Sequence, residues 1–289
     1  MTASGAAELA VVIVNYNTGD YLERCLASLD AHRGDIAVDV LVIDNASRDD
    51  SHTRAVAVHP WARLIENPEN VYLSPAWNQG IRESDAPYVL LLNPDTEWWV
   101  GTLADYVAVA RANPRAGIVG PMVRNTDGSV YPSGRPIPSV VDALGHAFLG
   151  PFAPGNRFSR RYHLAGWDRT TEREVDWVSG CCMLLPRKAF DEVGVLDESF
   201  LLYGEELDLA TRLRDAGWSV LFTPNVEIIH ALGVSTGRSR RMTVMHSASI
   251  YRYYRKHRAA GWRKLTLPLA WAALRARAEI AWMRGRYAG

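Results

Sequence analysis

Three carboxylates fall within four positions in the run Phe200-Leu201-Leu202-Tyr203-Gly204-Glu205-Glu206-Leu207-Asp208-Leu209. At a helix start they sit near the positive end of the dipole, which favours the anionic form, and an anionic carboxylate can take a proton from an attacking hydroxyl. One of Glu205, Glu206 and Asp208 can be a general base. Asp208 and Arg212 stand four apart on the same helix and should pair, which argues against chemistry at Asp208. The plainer reading of all three is an acidic helix N-terminus.

Two aspartates elsewhere carry different chemistry. Asp44, in Asp44-Asn45-Ala46-Ser47, directly follows an apolar run; its carboxylate could accept the N3–H of uracil or thymine, or Asp44 or Ser47 could simply cap the next helix. Asp95, in Asn93-Pro94-Asp95, is a short-reach carboxylate suited to holding Mg²⁺ or Mn²⁺ against a diphosphate, although a Pro-Asp turn has the same signature. His230 closes another apolar run; as a second ligand it would favour Mn²⁺, and as a lone histidine it could equally be structural.

These residues need elements to carry them. Leu9 to Val14 and Asp39 to Ile43 read as buried strands around a helix from Asp20 to Leu29, in which Leu22, Leu26 and Leu29 share a face. Further strands at Arg63 to Ile65, Tyr88 to Leu92 and Gly117 to Val119 alternate with helices around Ala76 to Glu83 and Thr102 to Ala112. The pattern predicts an α/β, Rossmann-like fold: a mainly parallel sheet with helices on both faces and ligands beyond the strands' carboxyl ends. The polar clusters follow those ends: Asn15-Tyr16-Asn17, then Asp44, then Asn93 to Asp95. From Asn125 through Tyr162 the chain reads as a long loop, and such loops are functional or mobile. An apolar segment from Val175 to Leu185, a helix near Ala189, a helix from about Glu206 to Asp215, and short strands Ser219 to Phe222 and Val226 to Ile229 complete the body.

Net charge is zero over 289 residues, but it is divided unevenly. From Ser235 onward there are 13 Lys and Arg against the single acid Glu279, leaving 19 basic and 31 acidic residues before it. The basic end interleaves Tyr251, Tyr253, Tyr254, Trp262, Trp271 and Trp282, a composition suited to the headgroup layer of an anionic membrane. Nucleic-acid binding is the disfavoured alternative, because Leu265 to Leu274 is long and Trp-rich yet too short to span; another alternative is packing against the acidic body. Three cysteines, two of them adjacent at Cys181 and Cys182, argue against a disulfide framework. The absence of a leader-like opening predicts the cytoplasm. Only one glycine follows the first strand, in Asn15-Tyr16-Asn17-Thr18-Gly19, which disfavours a dinucleotide enzyme or nucleotidyltransferase.

In their order and spacing, Val12-Ile13-Val14-Asn15-Tyr16-Asn17, Asp44-Asn45-Ala46-Ser47, Asn93-Pro94-Asp95, Trp177-Val178-Ser179-Gly180-Cys181 and Tyr203 to Leu209 resemble the inverting GT-A glycosyltransferases of family 2 over residues 9 to 236. Within that family, Asp127 to Arg135, Leu149-Gly150-Pro151-Phe152 and Ser235-Thr236-Gly237-Arg238 are similar to the rhamnosyltransferases of the actinobacterial cell-wall linker, which use dTDP-L-rhamnose and a GlcNAc-diphosphoryl-polyprenol acceptor. The resemblance implies a nucleotide-binding set of Asn15, Asn17, Asp44, Asn78, Asn93 and Asp95, a metal site at Asp95 and His230, and Glu206 as base. It also implies an acceptor side with Trp177, Gly180 and Arg135, the last a candidate for gripping the lipid's diphosphate. The chain departs from the family pattern at Glu205-Glu206, where Glu-Asp is usual, and at Val71-Tyr72-Leu73-Ser74-Pro75, which replaces a Gly-Phe segment before Asn78-Gln79-Gly80.

The expected organisation is a GT-A domain over 1–236, split into a nucleotide-binding half (1–124) and an acceptor-binding half (125–236), and a membrane-associating helical tail over 237–289. The expected partners are a nucleotide-sugar donor, a polyprenyl-diphosphate acceptor and the cytoplasmic face of an anionic membrane, with no nucleic acid; a homo-oligomer stays open. The rival classes are a family 2 transferase with another UDP- or dTDP-sugar, and a non-catalytic sugar-nucleotide-binding scaffold at the membrane.

Overall fold

The computed structural model describes residues 6–137, 142, 145, 149–150, 153, 155–231 and 240–283. The expected motif pieces Pro151-Phe152 and Ser235 to Arg238, and the expected boundary at 236/237, lie outside the described residues.

The chain opens as β1 (Leu9–Asn15), α1 (Tyr21–Ala31), β2 (Val38–Asp44), α2 (Ser51–Val58), β3 (Ala62–Glu66), α3 (Leu73–Arg82) and β4 (Tyr88–Leu92). It continues through β5 (Thr96–Val100), α4 (Leu103–Ala112), β6 (Ala116–Arg124), β7 (Val130–Tyr131), β8 (Gly134–Arg135) and α5 (Arg157–Tyr162). Then come β9 (Arg173–Val175), β10 (Trp177–Val178), β11 (Cys182–Pro186), α6 (Arg187–Val193), α7 (Glu205–Asp215) and β12 (Ser219–His230). Helices α8 (Arg240–His257) and α9 (Leu267–Met283), joined by a 3-10 turn at Gly261–Thr266, form the C-terminal region.

The main sheet runs β3-β2-β1-β4-β11-β6-β12-β5. Its first four strands are parallel, β11 is antiparallel to both neighbours, β6 and β12 are parallel, and β5 is antiparallel. The sheet is therefore mixed, with the expected parallel order concentrated in the nucleotide half. Strand alternation builds two cores: Leu9, Val11 and Ile13 point to α1 and α4, whereas Ala10, Val12 and Val14 point to α3 and α7. Helix α4 begins with a complete capping box between Thr102 and Asp105. On the other face, α3 lies so close to β1 that a Cβ on Gly80 would come 2.3 Å from a Val12 methyl.

Register brings the motifs to one edge. Asn15 is opposite Asp44, Ile13 is opposite Leu92, and Cys182 of the antiparallel β11 is also opposite Leu92. Residue 181 therefore lies at the same end as Asn93 to Asp95, and His230, paired with Thr96, arrives beside it.

Three expectations are corrected. Val175 to Leu185 is not one segment, because a turn at Gly180-Cys181 divides it between a small β8–β10 sheet and the main sheet. Ser219 to Ile229 is one strand with a register shift between Thr223 and Glu227 rather than two. The stretch from Asn125 to Tyr162 contains β7, β8 and α5. Of the alternatives for the C-terminal region, packing on the body holds for its beginning: Thr211 and Tyr253 share a 2.9 Å hydroxyl bond, Ser249 donates to the Leu202 carbonyl at 2.9 Å, and Lys256 lies 2.6 Å from Asp197. Among the described residues, no helix is long and apolar enough to cross a membrane.

Candidate active site

The first polar cluster is assembled from the loops after β1 and β2. Asn15 donates to Asp44 Oδ1 at 2.8 Å and to the hydroxyls of Ser47 and Ser51 at 3.1 and 3.0 Å, while Thr18 donates to Asn15 Oδ1 at 2.5 Å. The Asp44 carboxylate also accepts from the Ser47 backbone at 2.9 Å and from its hydroxyl at 2.6 Å. It thus closes an Asx turn; helix α2 starts later, with Asp50 preceding it, so Asp44 and Ser47 do not cap it. Asn17, at φ 51°, receives the Arg48 N–H at 2.7 Å and donates its own N–H to Ser47 Oγ at 2.9 Å, locking the two loops together. Asn78 stands elsewhere: its amide bonds to both backbone groups of Leu196 and to Glu198, stapling α3 to the segment that precedes α7.

At the next strand end, Asp95 and His230 are buried and 3.1 Å apart, carboxylate Oδ1 to imidazole Nε2. Burial works against a charged imidazole, but the Cys181 side chain and Asp95 outweigh it and raise His230 to about 10. Among the described residues no Lys or Arg pairs with Asp95, and no group of three His, Cys, Asp or Glu side chains converges. One carboxylate and one imidazole, with phosphate oxygens and water completing the shell, suit Mg²⁺ or Mn²⁺ bound together with a diphosphate. The donor set fits such an ion.

The second polar cluster begins at α7. Tyr203 and Gly204 both adopt positive φ, 66° and 84°, and turn the chain sharply into the helix. Glu206 folds back to accept the Gly204 N–H at 3.0 Å. Burial raises Glu206, an effect moderated by that N–H and by the nearby Arg135 charge. Glu205 is 3% exposed and its Oε2 has no hydrogen-bond partner; burial and the like charge of Glu206 push its pKa well up. Desolvation thus works against the helix dipole at both glutamates, and more strongly at Glu205. Asp208 is structural: it pairs with Arg212 at 2.9 Å and with Lys256 and His257 at 2.7 Å.

Gly180 joins the two ends. A Cβ there would lie 3.6 Å from the Glu206 Cβ, and the adjoining Cys181 carbonyl accepts the Asn93 N–H at 2.9 Å. Arg135 is 7% exposed rather than a solvated loop residue. Its guanidinium donates to Tyr131 at 2.7 Å, to Tyr162 at 3.3 Å and to the Pro132 carbonyl at 2.6 Å, and lies 5.2 Å from the Trp177 ring. Trp177 is itself fixed by its indole N–H on the Pro136 carbonyl at 3.2 Å.

Several contributors carried no signal in the sequence. Tyr131 and Tyr162 sit in the stretch read as loop. His246 meets the Tyr203 ring edge-on at 5.1 Å, and Arg241 bonds to the Tyr72 hydroxyl, so α8 reaches both the start of α7 and the start of α3. Their long sequence separation hides these pairs from any periodicity.

Comparison with known proteins agrees with this geometry. The model of glycosyl transferase family 2 matches residues 10–194. The chain is 38% identical over 275 residues to the N-acetylglucosaminyl-diphospho-decaprenol L-rhamnosyltransferase of Mycobacterium tuberculosis, covering 91% of this chain and 88% of that one. It is 25% identical over 229 residues to the rhamnosyltransferase WbbL of Escherichia coli, covering 76% and 82%. Among solved structures, GalNAc-T7 with UDP, GalNAc and Mn²⁺ superposes with a TM-score of 0.61 at 16% identity, over 88% of this chain and 51% of that one. The mannosyltransferase PcManGT of Pyrobaculum calidifontis, in complex with GDP-Man and Mn²⁺, gives 0.58 at 16% identity, over 99% and 77%. These two likenesses establish a shared GT-A fold.

Proposed function

The chain belongs to glycosyl transferase family 2, and from that premise we propose that it is an inverting rhamnosyltransferase carrying L-rhamnose from dTDP-L-rhamnose to a GlcNAc-diphosphoryl-polyprenol. The observation that carries this reading is the approach of Gly180 to Glu206, with Cys181 bonded to the Asn93 strand end. It supports one cleft with a base on one side and a diphosphate site on the other. The 38% identity to a rhamnosyltransferase over nearly the whole of both chains supports the choice of sugar and acceptor.

In this reading Asp44 accepts the thymine N3–H, with Asn15 and Asn17 holding its loop in place. Asn93 and Asp95 face the donor diphosphate, and Asn78 supports that side by fixing α3. Asp95 and His230 hold Mg²⁺ or Mn²⁺, which supplies charge neutralisation for the departing nucleotide diphosphate. Glu205 and Glu206 divide their roles by environment: burial and its neighbour's charge make the sealed Glu205 the harder of the two to ionise, and the half-buried Glu206 is the base. Glu206 takes the proton of the acceptor hydroxyl as that oxygen attacks the anomeric carbon from the face opposite the leaving diphosphate, which inverts configuration. Trp177 and Gly180 shape the acceptor surface, and Arg135 supplies positive charge beside it.

The same reading places the enzyme at the cytoplasmic face of a membrane, with 1–124 as the nucleotide half, 125–236 as the acceptor half and 237–289 as the membrane-facing region. It is supported by the exposed Trp262, Leu265, Leu269 and Trp271, which stand among Arg263, Lys264 and Arg275. The test is incubation with dTDP-rhamnose, UDP-galactose or UDP-glucose and a GlcNAc-diphosphoryl lipid, with and without EDTA, read by mass spectrometry. Rhamnose transfer that stops on chelation is expected; transfer of a different sugar, or turnover indifferent to EDTA, overturns the assignment.

A further inference from the structure

The segment leading into α7 has three consecutive backbone carbonyls held by other elements. The Phe200 carbonyl accepts the Ser74 hydroxyl, and the Leu201 carbonyl accepts the Leu73 N–H at 3.0 Å, both from the start of α3. The Leu202 carbonyl instead accepts the Ser249 hydroxyl at 2.9 Å, from α8. Next in the chain stand Tyr203 and Gly204, at φ 66° and 84°, and the Gly204 N–H is the one that Glu206 accepts at 3.0 Å. Ser249 therefore fixes the last carbonyl before the turn that orients the Glu206 carboxylate.

The turn is enclosed as well as bonded. A Cβ on Gly204 would come 3.4 Å from the Phe200 ring and 3.6 Å from the Ser249 Cβ, and the His246 ring of α8 meets Tyr203 edge-on at 5.1 Å. A tyrosine at positive φ is unfavourable by itself and persists where its surroundings impose it; α8 supplies part of those surroundings. The helix does not depend on Ser249 for its own place. Its Tyr253 hydroxyl bonds Thr211 at 2.9 Å, Lys256 lies 2.6 Å from Asp197 and 2.7 Å from Asp208, and His257 lies 2.7 Å from Asp208. Removing the serine thus frees one carbonyl while α3 and the rest of α8 keep their hold.

A base works only with its carboxylate about 3 Å from the hydroxyl it deprotonates, and a small displacement costs rate rather than affinity. We propose that Ser249 is a positioning residue for the transfer reaction: by bonding the Leu202 carbonyl it holds the Tyr203-Gly204 turn, and through the Gly204 N–H it aims Glu206 at the acceptor hydroxyl. Helix α8 then belongs to the machinery that sets the rate. The inference rests on Glu206 as the base, as assigned above.

Full-length wild type, Ser249→Ala, Tyr253→Phe, Glu206→Gln and the Ser249→Ala/Glu206→Gln double variant are compared in steady-state transfer from dTDP-rhamnose to a GlcNAc-diphosphoryl lipid, with thermal melts and dTDP calorimetry. Ser249→Ala should lower kcat at least tenfold, with both KM values and the dTDP Kd within twofold of wild type. Tyr253→Phe removes a hydroxyl bond between α8 and α7 away from the turn, and should leave kcat within twofold. In the Glu206→Gln background, loss of the serine should cost less than threefold more, because its effect passes through that carboxylate. Unchanged kcat in Ser249→Ala, an equal loss in Tyr253→Phe, a further tenfold loss in the double variant, or unfolding of Ser249→Ala would each overturn the positioning role alone. Full activity in Glu206→Gln overturns the base assignment, and no rhamnose transfer by the wild type overturns the rhamnosyltransferase reading; either takes this inference with it.

Discussion

Asp95 and His230 are separated by 135 positions in sequence and by 3.1 Å in space. The antiparallel pairing of β12 with β5 sets that distance, placing His230 opposite Thr96. If the pair holds the divalent ion, His230→Ala removes one of two protein donors and leaves the fold's strand ladder intact. The Mn²⁺ concentration for half-maximal turnover should rise at least tenfold, about 1.4 kcal/mol. Activity titrated against Mn²⁺ at fixed dTDP-rhamnose measures it, and an unchanged half-point removes His230 from the metal site.

Glu206 can act as a base only when ionised, and burial raises its pKa from the ordinary glutamate value. Turnover should therefore climb with pH on an acidic limb lying higher than that of an exposed glutamate. Since the Arg135 charge pulls the other way, Arg135→Met should move this limb to still higher pH. Glu206→Gln should cost roughly 10²- to 10⁴-fold in kcat with an unaltered melting curve. A pH profile of kcat/KM in the three proteins decides it: a limb that stays fixed on loss of Arg135 breaks the electrostatic link.

Close packing of α3 on β1 supplies a stability prediction. Gly80 has no room for a methyl group, because Val12 occupies that space inside the core. Gly80→Ala should lower stability by about 1–3 kcal/mol through overpacking, even though alanine is the better helix former. A shift of the urea midpoint to lower concentration with unchanged slope is the expected reading. A gain in stability would mean that α3 can slide away from the sheet at little cost.

The sequence made legible those features that depend on local pattern. Strand β1 was visible because six apolar residues in succession can be buried on both faces, and α1 because Leu22, Leu26 and Leu29 recur on one side. Helix α2 escaped because Ser51–Val58 contributes few large apolar side chains, and β5 escaped because Thr96–Val100 directly follows the Asn93-Pro94-Asp95 turn. The site divides in the same way. Asp44, Asp95 and Glu206 stand at element ends, where a polar residue after an apolar run is conspicuous. Lys256 sits inside a basic, aromatic region whose composition favours an interface, and only the packing of α8 along α7, where it meets Asp208, shows that part of this charge is turned inward.

The outward part of that region supports the last prediction. Trp262, Leu265, Leu269 and Trp271 are 73%, 83%, 73% and 53% exposed, with Leu265 and Leu269 forming an apolar ridge from the 3-10 turn into α9 and Trp262 and Trp271 beside it in sequence. Water gains nothing from such a surface, whereas the headgroup layer accepts indole and leucine side chains and attracts the flanking Arg263, Lys264 and Arg275. Burying two leucines completely would contribute about 3–6 kcal/mol, and interfacial depth realises only part of that. Leu265→Glu combined with Leu269→Glu should therefore lower partitioning onto vesicles containing anionic lipid at least tenfold, without lowering the melting temperature, since both side chains stand in solvent. Raising the salt should weaken wild-type binding, because screening removes the arginine and lysine attraction but not the apolar insertion. Co-sedimentation with anionic and with neutral vesicles reads both effects. Equal partitioning of the double variant, or binding indifferent to lipid charge and salt, would show that this ridge faces something other than a membrane.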